Sequence, residues 1–431
     1  MSNKKDKISV ISLGCSKNTV DSERLLNQLK ADNFNIQADP NKADTVIINT
    51  CGFIEAAKEE SINTILNAVL LKKEGKINKV IVAGCLSERY KKDLEQEIPE
   101  VDAYFGTEKY EGILKNLGGN LKYELLCERY LTGPSYSAYL KISEGCDHPC
   151  SFCAIPLMRG KHHSKPKEKL IEEAKFLARN NAKELIIIAQ DTTDYGKDLY
   201  GKRILADLLN DLSEIDGIEW IRLMYAYPSR FPEELIDTIA SNPKICNYID
   251  IPLQHISDNV LKSMRRGVTS KRIRELICKL QKRIPDLAIR TTFIVGYPNE
   301  TDKEFDELCE FVKDAKFDRF GVFTFSEEEN TTSYLLGNPV PENVKVERKE
   351  TLMSIQQGIS LAKNENLVGK ELKVLVEGVE GDFYVGRSYR DAPEVDGEIL
   401  IEKSNFNVET GSFHRVKINN FDEFDLFGTF C

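Results

Sequence analysis

The stretch Glu144-Gly-Cys-Asp-His-Pro-Cys-Ser-Phe-Cys-Ala154 sets Cys146, Cys150 and Cys153 in a Cys-x3-Cys-x2-Cys spacing. Three thiols this close suit one metal centre, because soft sulfur ligands favour iron–sulfur clusters or zinc. Three are one short of a closed site with four cysteine ligands. A 4Fe-4S cluster held this way keeps one iron without a protein ligand, open to a substrate. A zinc site would need a fourth ligand nearby. His148 lies inside the loop, too close in sequence to both neighbours, which leaves His162 and His163 beyond Cys153 as the zinc alternative.

Upstream, three short apolar runs each end in a cysteine: Ile8-Ser-Val-Ile-Ser-Leu-Gly-Cys15, Thr45-Val-Ile-Ile-Asn-Thr-Cys51 and Lys79-Val-Ile-Val-Ala-Gly-Cys85. Helix-like segments, 19–31 and 54–73, lie between them. β-Branched runs alternating with helices predict a parallel sheet. Ligands of such sheets bind beyond the carboxyl ends of the strands, where all three cysteines fall. One strand-end cysteine is ordinarily a small buried residue. Three at equivalent positions predict a second iron–sulfur cluster, again with an open iron.

Downstream, strands are expected at 139–143, 184–190, 220–225, 248–252, 288–295 and 319–325, with helices at 166–180, 204–213, 232–240, 269–282 and 302–314. Repeated β-then-α units suggest an incomplete parallel barrel. The Cys146 triplet follows its first strand, at the end where β/α barrels carry their catalytic groups. Gln190-Asp191-Thr192 and Gly296-Tyr-Pro298 close the second and fifth strands, and Arg290 and His255 lie near the same region. Cys309 shares an apolar helix face with Phe305, Leu308 and Val312, and Cys127, Cys246, Cys278 and Cys431 show no pairing pattern. After a loop near 328–346 and a polar helix over 342–365, the runs 371–377, 383–388, 397–402 and 415–418 predict a small β-barrel.

Composition fits a globular intracellular enzyme. Charged residues make up 30% and hydrophobic ones 41% of 431 residues, and 11 cysteines suit a reducing cytoplasm. No apolar run is long enough to span a membrane, and no leader is expected at the start. A net charge of −10 argues against a general nucleic-acid binder. The tail, 366–431, has 7 Lys plus Arg against 13 Asp plus Glu, which suits a basic protein better than RNA. Asp391, Glu394 and Asp396 are the acids expected to serve such docking.

The Cys146 triplet closely resembles the signature of the radical S-adenosylmethionine (SAM) enzymes. With Cys15, Cys51 and Cys85 ahead of it, the chain resembles the methylthiotransferases, which replace C–H with C–S–CH3. The resemblance extends through Leu13-Gly-Cys-Ser-Lys-Asn18, Asn49-Thr-Cys-Gly-Phe53, Met158-Arg-Gly160, Ile251-Pro-Leu-Gln-His-Ile-Ser257 and Arg290-Thr-Thr-Phe-Ile-Val-Gly-Tyr-Pro298. It implies an α/β architecture: an amino-terminal Rossmann-like parallel-sheet domain (6–122), a partial (β/α)6 radical-SAM barrel (132–361) and a small carboxy-terminal β-barrel, TRAM (364–431). It also implies two 4Fe-4S clusters as cofactors and SAM as cosubstrate. Cys15, Cys51, Cys85, Cys146, Cys150 and Cys153 would be the metal ligands, and Gln190, Arg290 and Gly296 would contact SAM. No side chain is needed as acid or base. The run Gly386-Arg-Ser-Tyr-Arg-Asp-Ala-Pro-Glu-Val-Asp-Gly397 resembles the methylthiotransferases of small-subunit ribosomal protein twelve, which act on an aspartate side chain. Their partners would be that basic protein, an external electron donor and a sulfur donor. Relatives act on tRNA adenosine, and the basic stretch 159–169 keeps that alternative open. A non-catalytic electron carrier is the third reading, disfavoured because such carriers need no open iron.

Overall fold

A computed structural model describes residues 6–403 and 408–431 of the chain. Its first sheet joins β1 (Lys7–Ser12), β2 (Asn35–Ile36), β3 (Thr45–Thr50), β4 (Lys79–Gly84) and β5 (Ala103–Tyr104), all parallel, in the order β2-β1-β3-β4-β5. Every residue of β3 is buried, which is why its sequence runs apolar without alternation. Val46 and Ile48 face α2 (Glu55–Lys73) and α3 (Cys85–Glu97), while Ile47 faces α1 (Ser16–Ala31) and α4 (Tyr110–Asn116). The sheet is thus covered on both faces. The direction of strand order reverses between β1 and β3, the switch point where such sheets bind ligands.

The second sheet is a fan of six parallel strands. In spatial sequence they are β6 (Ser137–Lys141), β9 (Glu184–Ile188), β10 (Trp220–Leu223), β11 (Ile245–Asp250), β12 (Ala288–Val295) and β13 (Arg319–Thr324); a short pair, β7 (Ser143–Glu144) and β8 (His163–Ser164), follows β6. Leu140, Leu185, Ile187, Ile221, Leu223, Ile249 and Ile289 point outward into the helical layer. Ile186, Ile188, Met224 and Tyr248 point into the concave face. The expected incomplete barrel is present, and the helix Glu342–Glu365 packs against β13. Among the described residues no helix is long and apolar enough to cross a membrane.

The last 60 or so residues close a five-stranded barrel from β14 (Glu371–Glu380), β15 (Phe383–Ser388), β16 (Ile399–Glu402), β17 (Phe413–Phe421) and β18 (Leu426–Phe430). Its loop after β15 plugs the lower mouth of the large barrel. Arg222 and Arg387 both bind the fully buried Glu184, at 2.8 and 2.5 Å. Arg319 pairs with Asp391, and Arg290 and Tyr248 meet Asp396.

This corrects the docking role expected for Asp391 and Asp396. Their side chains are 2% exposed and already paired, so only Glu394 of the three faces solvent. Breaking a buried pair leaves an uncompensated charge, at a cost of about 3–5 kcal/mol. Asp391→Lys and Asp396→Lys are therefore expected to lower the melting temperature sharply. Glu394→Lys is expected to change stability by about 0.5 kcal/mol or less. Equal melting curves for the three variants would contradict the plug.

The plug also predicts an acid transition. Burial alone would raise the Glu184 carboxyl, but Arg387 and Arg222 outweigh it and hold it down to about 2 against an ordinary 4.5. A depressed carboxylate contributes its stability fully above the unfolded value and loses it as pH falls through the folded one. A shift of that size corresponds to about 3 kcal/mol lost between pH 4.5 and 2. Trp220, the single tryptophan, sits edge-on to Phe413 across this junction at 4.7 Å. Its fluorescence should report loosening in that window, and Glu184→Gln should remove the dependence.

Candidate functional site

The amino-terminal cysteines meet at the switch point. Ser12 pairs with Asn49 and Thr50 with Gly84, so the three strands stop level with one another. Cys15 caps α1, Cys51 follows β3 directly, and Cys85 is the first residue of α3. Gly14 adopts φ +87°, and a Cβ there would lie 2.6 Å from the Cβ of Cys51 and 2.9 Å from its Sγ. Only glycine lets the two loops come this close. Asn18 Nδ2 donates to the carbonyls of Leu13 and Thr50, and Ser61 brackets both backbone polar groups of Cys51. Burial pushes the Cys85 thiol up to about 12, with Arg159 opposing and Cys15 and Cys51 adding to the rise. Burial and Cys15 also raise Cys51.

The barrel triplet occupies the loop beyond β6. Cys146 N–H donates to Gly160 O, and Cys153 N–H to Cys150 O. Ser151, between the cysteines, is fixed by Met264 O and by the Tyr297 hydroxyl at 2.8 Å. Burial drives Cys146 and Cys153 each up to about 12, and the neighbouring thiols push the same way. Thiolates at Cys51, Cys85, Cys146 and Cys153 are thus costly without a cation beside them, which fits a metal centre. The described groups whose ligand atoms crowd within 4.8 Å of one another are His148/Asp191/Asp194 and Asp21/Glu108/Glu144, and neither triplet is among them. The histidines are engaged elsewhere. His148 stacks on Tyr227 and meets Asp191 at 2.6 Å, and His162 meets Ser164.

The residues expected to contact SAM fare differently. Gln190 lies beside the triplet loop, where its Nε2 donates to Glu144 at 2.7 Å while its Oε1 is buried without a partner. That acceptor is available to a ligand. Gly296 also ends its strand as expected, at φ +73°, but a Cβ there would strike Lys345 at 2.3 Å. The packing of the helix Glu342–Glu365 accounts for this glycine. Arg290 is a correction: it is the third residue of β12, and its guanidinium is committed to Asp250 and Asp396 at 3.2 Å each. It belongs to the plug.

A buried charge network links the two triplets. Fully buried Lys141 binds Asp21, Glu108 and Glu144. Arg159 binds Asp21 and Glu144 at 2.9 Å each, holds Asn18, and donates Nε–H to Cys85 Sγ at 3.3 Å. Asp21 and Arg159 are 138 residues apart, and no local pattern marks such a pair. On the other side Glu328 receives Arg89 at 2.7 Å and Lys58 at 3.2 Å. Glu328 also lines a cavity of about 710 Å³. Phe53 and Ile54, just past Cys51, line one wall, and Phe152 and Ala154, flanking Cys153, line another.

Residues 7–106 match a family described as Uncharacterized protein family UPF0004, residues 140–312 the Radical SAM superfamily, and residues 368–431 the TRAM domain. Among solved structures, the radical SAM methyltransferase TsrM from Kitasatospora setae superimposes with a TM-score of 0.55 over 74% of this chain and 75% of its own, at 12% identity. The cobalamin-dependent radical SAM enzyme OxsB gives 0.53 over 81% and 56%, at 13% identity. The matched domains define a radical SAM protein that carries a TRAM domain. Three relatives bear the name ribosomal protein uS12 methylthiotransferase RimO. That from Flavobacterium johnsoniae is 54% identical over 99% of this chain and 98% of its own. Those from Cytophaga hutchinsonii and Aquifex aeolicus are each 51% identical, over 99% and 98% of this chain and 98% and 96% of their own. The chain belongs to the RimO family of methylthiotransferases.

Proposed function

We propose that this enzyme methylthiolates an aspartate side chain of ribosomal protein uS12 in the cytoplasm, drawing on an electron donor and a sulfur donor. The observation that carries the reading is the cavity bounded by residues adjoining both cysteine triplets. Phe53 and Ile54 follow Cys51 in the chain and Phe152 and Ala154 flank Cys153, so one space adjoins the loops of both triplets.

Cys146, Cys150 and Cys153 would hold one 4Fe-4S cluster and Cys15, Cys51 and Cys85 the second. When bound, the first supplies the electron that cleaves SAM and the second supplies sulfur. The chain's own residues position and shield. Phe53, Ile54, Phe152 and Phe325 give the cavity apolar walls, and Gln190 Oε1 offers a buried acceptor beside the first triplet. The pairs Asp21–Arg159 and Glu328–Arg89 hold the amino-terminal domain against the barrel. No wall residue has to move a proton for hydrogen abstraction.

The tRNA alternative loses ground in the stretch 159–169. Arg159 is buried in the network and Lys165 Nζ is buried too, so the run is not a continuous basic surface. The reading is tested by comparing uS12 and tRNA from cells with and without the gene by mass spectrometry. A methylthio group lost from uS12 alone is expected. Loss from tRNA with uS12 unchanged would overturn the assignment.

A further inference from the structure

Each cysteine triplet has one buried arginine within hydrogen-bonding distance of one of its thiols. Arg159 Nε lies 3.3 Å from Cys85 Sγ, and Arg266 Nη1 lies 3.4 Å from Cys150 Sγ. Both arginines are about nineteen-twentieths buried, at 6% and 5% exposure. Both are also held rigidly. Arg159 spends its other nitrogens on Asp21, Glu144 and Asn18. Arg266 donates to Pro252 O and lies over the Tyr227 ring at 4.3 Å. The arginine serving the amino-terminal triplet comes from α5 (Ile155–Arg159), in the barrel half of the chain. The amino-terminal site is therefore completed by the other domain.

A cationic N–H aimed at sulfur stabilises added negative charge, and hydrogen bonds to the sulfurs are among the factors that set the reduction potential of an iron–sulfur centre. We propose that Arg159 and Arg266 are positioning residues that make the two centres easier to reduce, each through one N–H···S bond, to Cys85 and to Cys150. This rests on the reading of both triplets as cluster ligands. Lysine cannot replace either residue fully, since it lacks the planar fork that serves several acceptors at once.

The test is a potentiometric titration of the reconstituted full-length enzyme with dithionite, followed by electron paramagnetic resonance. Arg159→Gln should shift the equilibrium of the amino-terminal cluster at least tenfold toward its oxidised form, which is 59 mV for a one-electron couple. The barrel cluster should stay within threefold. Arg266→Gln should give the reverse pattern, and Arg159→Lys a smaller shift. Full iron content with unmoved potentials would overturn the inference. Wild-type enzyme holding a single cluster would overturn the ligand reading beneath it. Both arginines sit in buried networks, so a second measurement needs no substitution. In wild-type enzyme labelled with nitrogen-15 arginine, each reduced cluster should show a weak hyperfine coupling to nitrogen-15 in pulsed resonance. No coupling at either cluster would overturn the inference.

Discussion

Cys150→Ala is expected to abolish reductive SAM cleavage and to remove about half of the bound iron. Three thiolates would hold this cluster, and losing one removes a third of its protein ligands. Substitutions merely behind a metal ligand cost about 10–100-fold; loss of the ligand itself should exceed that, taking 5′-deoxyadenosine release to background. Cys150 is the sharpest choice because its sulfur also anchors Arg266 and faces the Tyr227 hydroxyl. The fold should persist, since Ser151 and Cys153 keep their backbone bonds. Cys278→Ala, at an exposed position, should change neither iron nor cleavage. Retained 5′-deoxyadenosine formation in the Cys150 variant would remove the radical-SAM assignment of this loop.

Replacing Cys15, Cys51 and Cys85 together with alanine is expected to separate the two halves of the reaction. About half of the iron should again be lost, but SAM cleavage should continue, because the barrel triplet is built from its own loop and from Tyr227 and Arg266. Methylthiolated product should fall below detection. The hydrogen bonds of Ser61 to Cys51 use backbone atoms that alanine keeps, so the domain should stay folded. Product formed at the wild-type rate would refute sulfur supply from this site.

Much of this was legible along the chain, for physical reasons that also explain the rest. The strands Glu184–Ile188 and Trp220–Leu223 announce themselves because both their faces are buried, giving near-continuous apolar runs. The polar helix Glu342–Glu365 stands at its expected bounds. The strand Leu426–Phe430 leaves no clear mark in the sequence because it is short and follows acidic Asp422-Glu-Phe-Asp425. Cysteine spacing located the barrel site, and strand ends located the amino-terminal one. Long-range pairing left no such mark. Arg290 lies on a strand that leads to the site, yet its partner Asp396 is 106 residues away. Net charge misled in the same way: acids counted as free surface in the tail are neutralised by Arg290 and Arg319 of the barrel. Arg159 joins Cys85 across 74 residues, a contact visible only in three dimensions.

The plug in the lower mouth also bears on how the protein is made. As the chain leaves the ribosome, Glu184 emerges long before Arg387, and Arg290 and Arg319 before Asp391 and Asp396. The barrel therefore waits with charged interior groups exposed to water until the final stretch arrives. A chain stopped near residue 366 would keep every cysteine of both triplets, but Glu184 would hold only Arg222, Arg290 only Asp250, and Arg319 would lose Asp391. Such a fragment should unfold at a lower temperature than the full chain, so the last stretch to be synthesised is the one that locks the barrel.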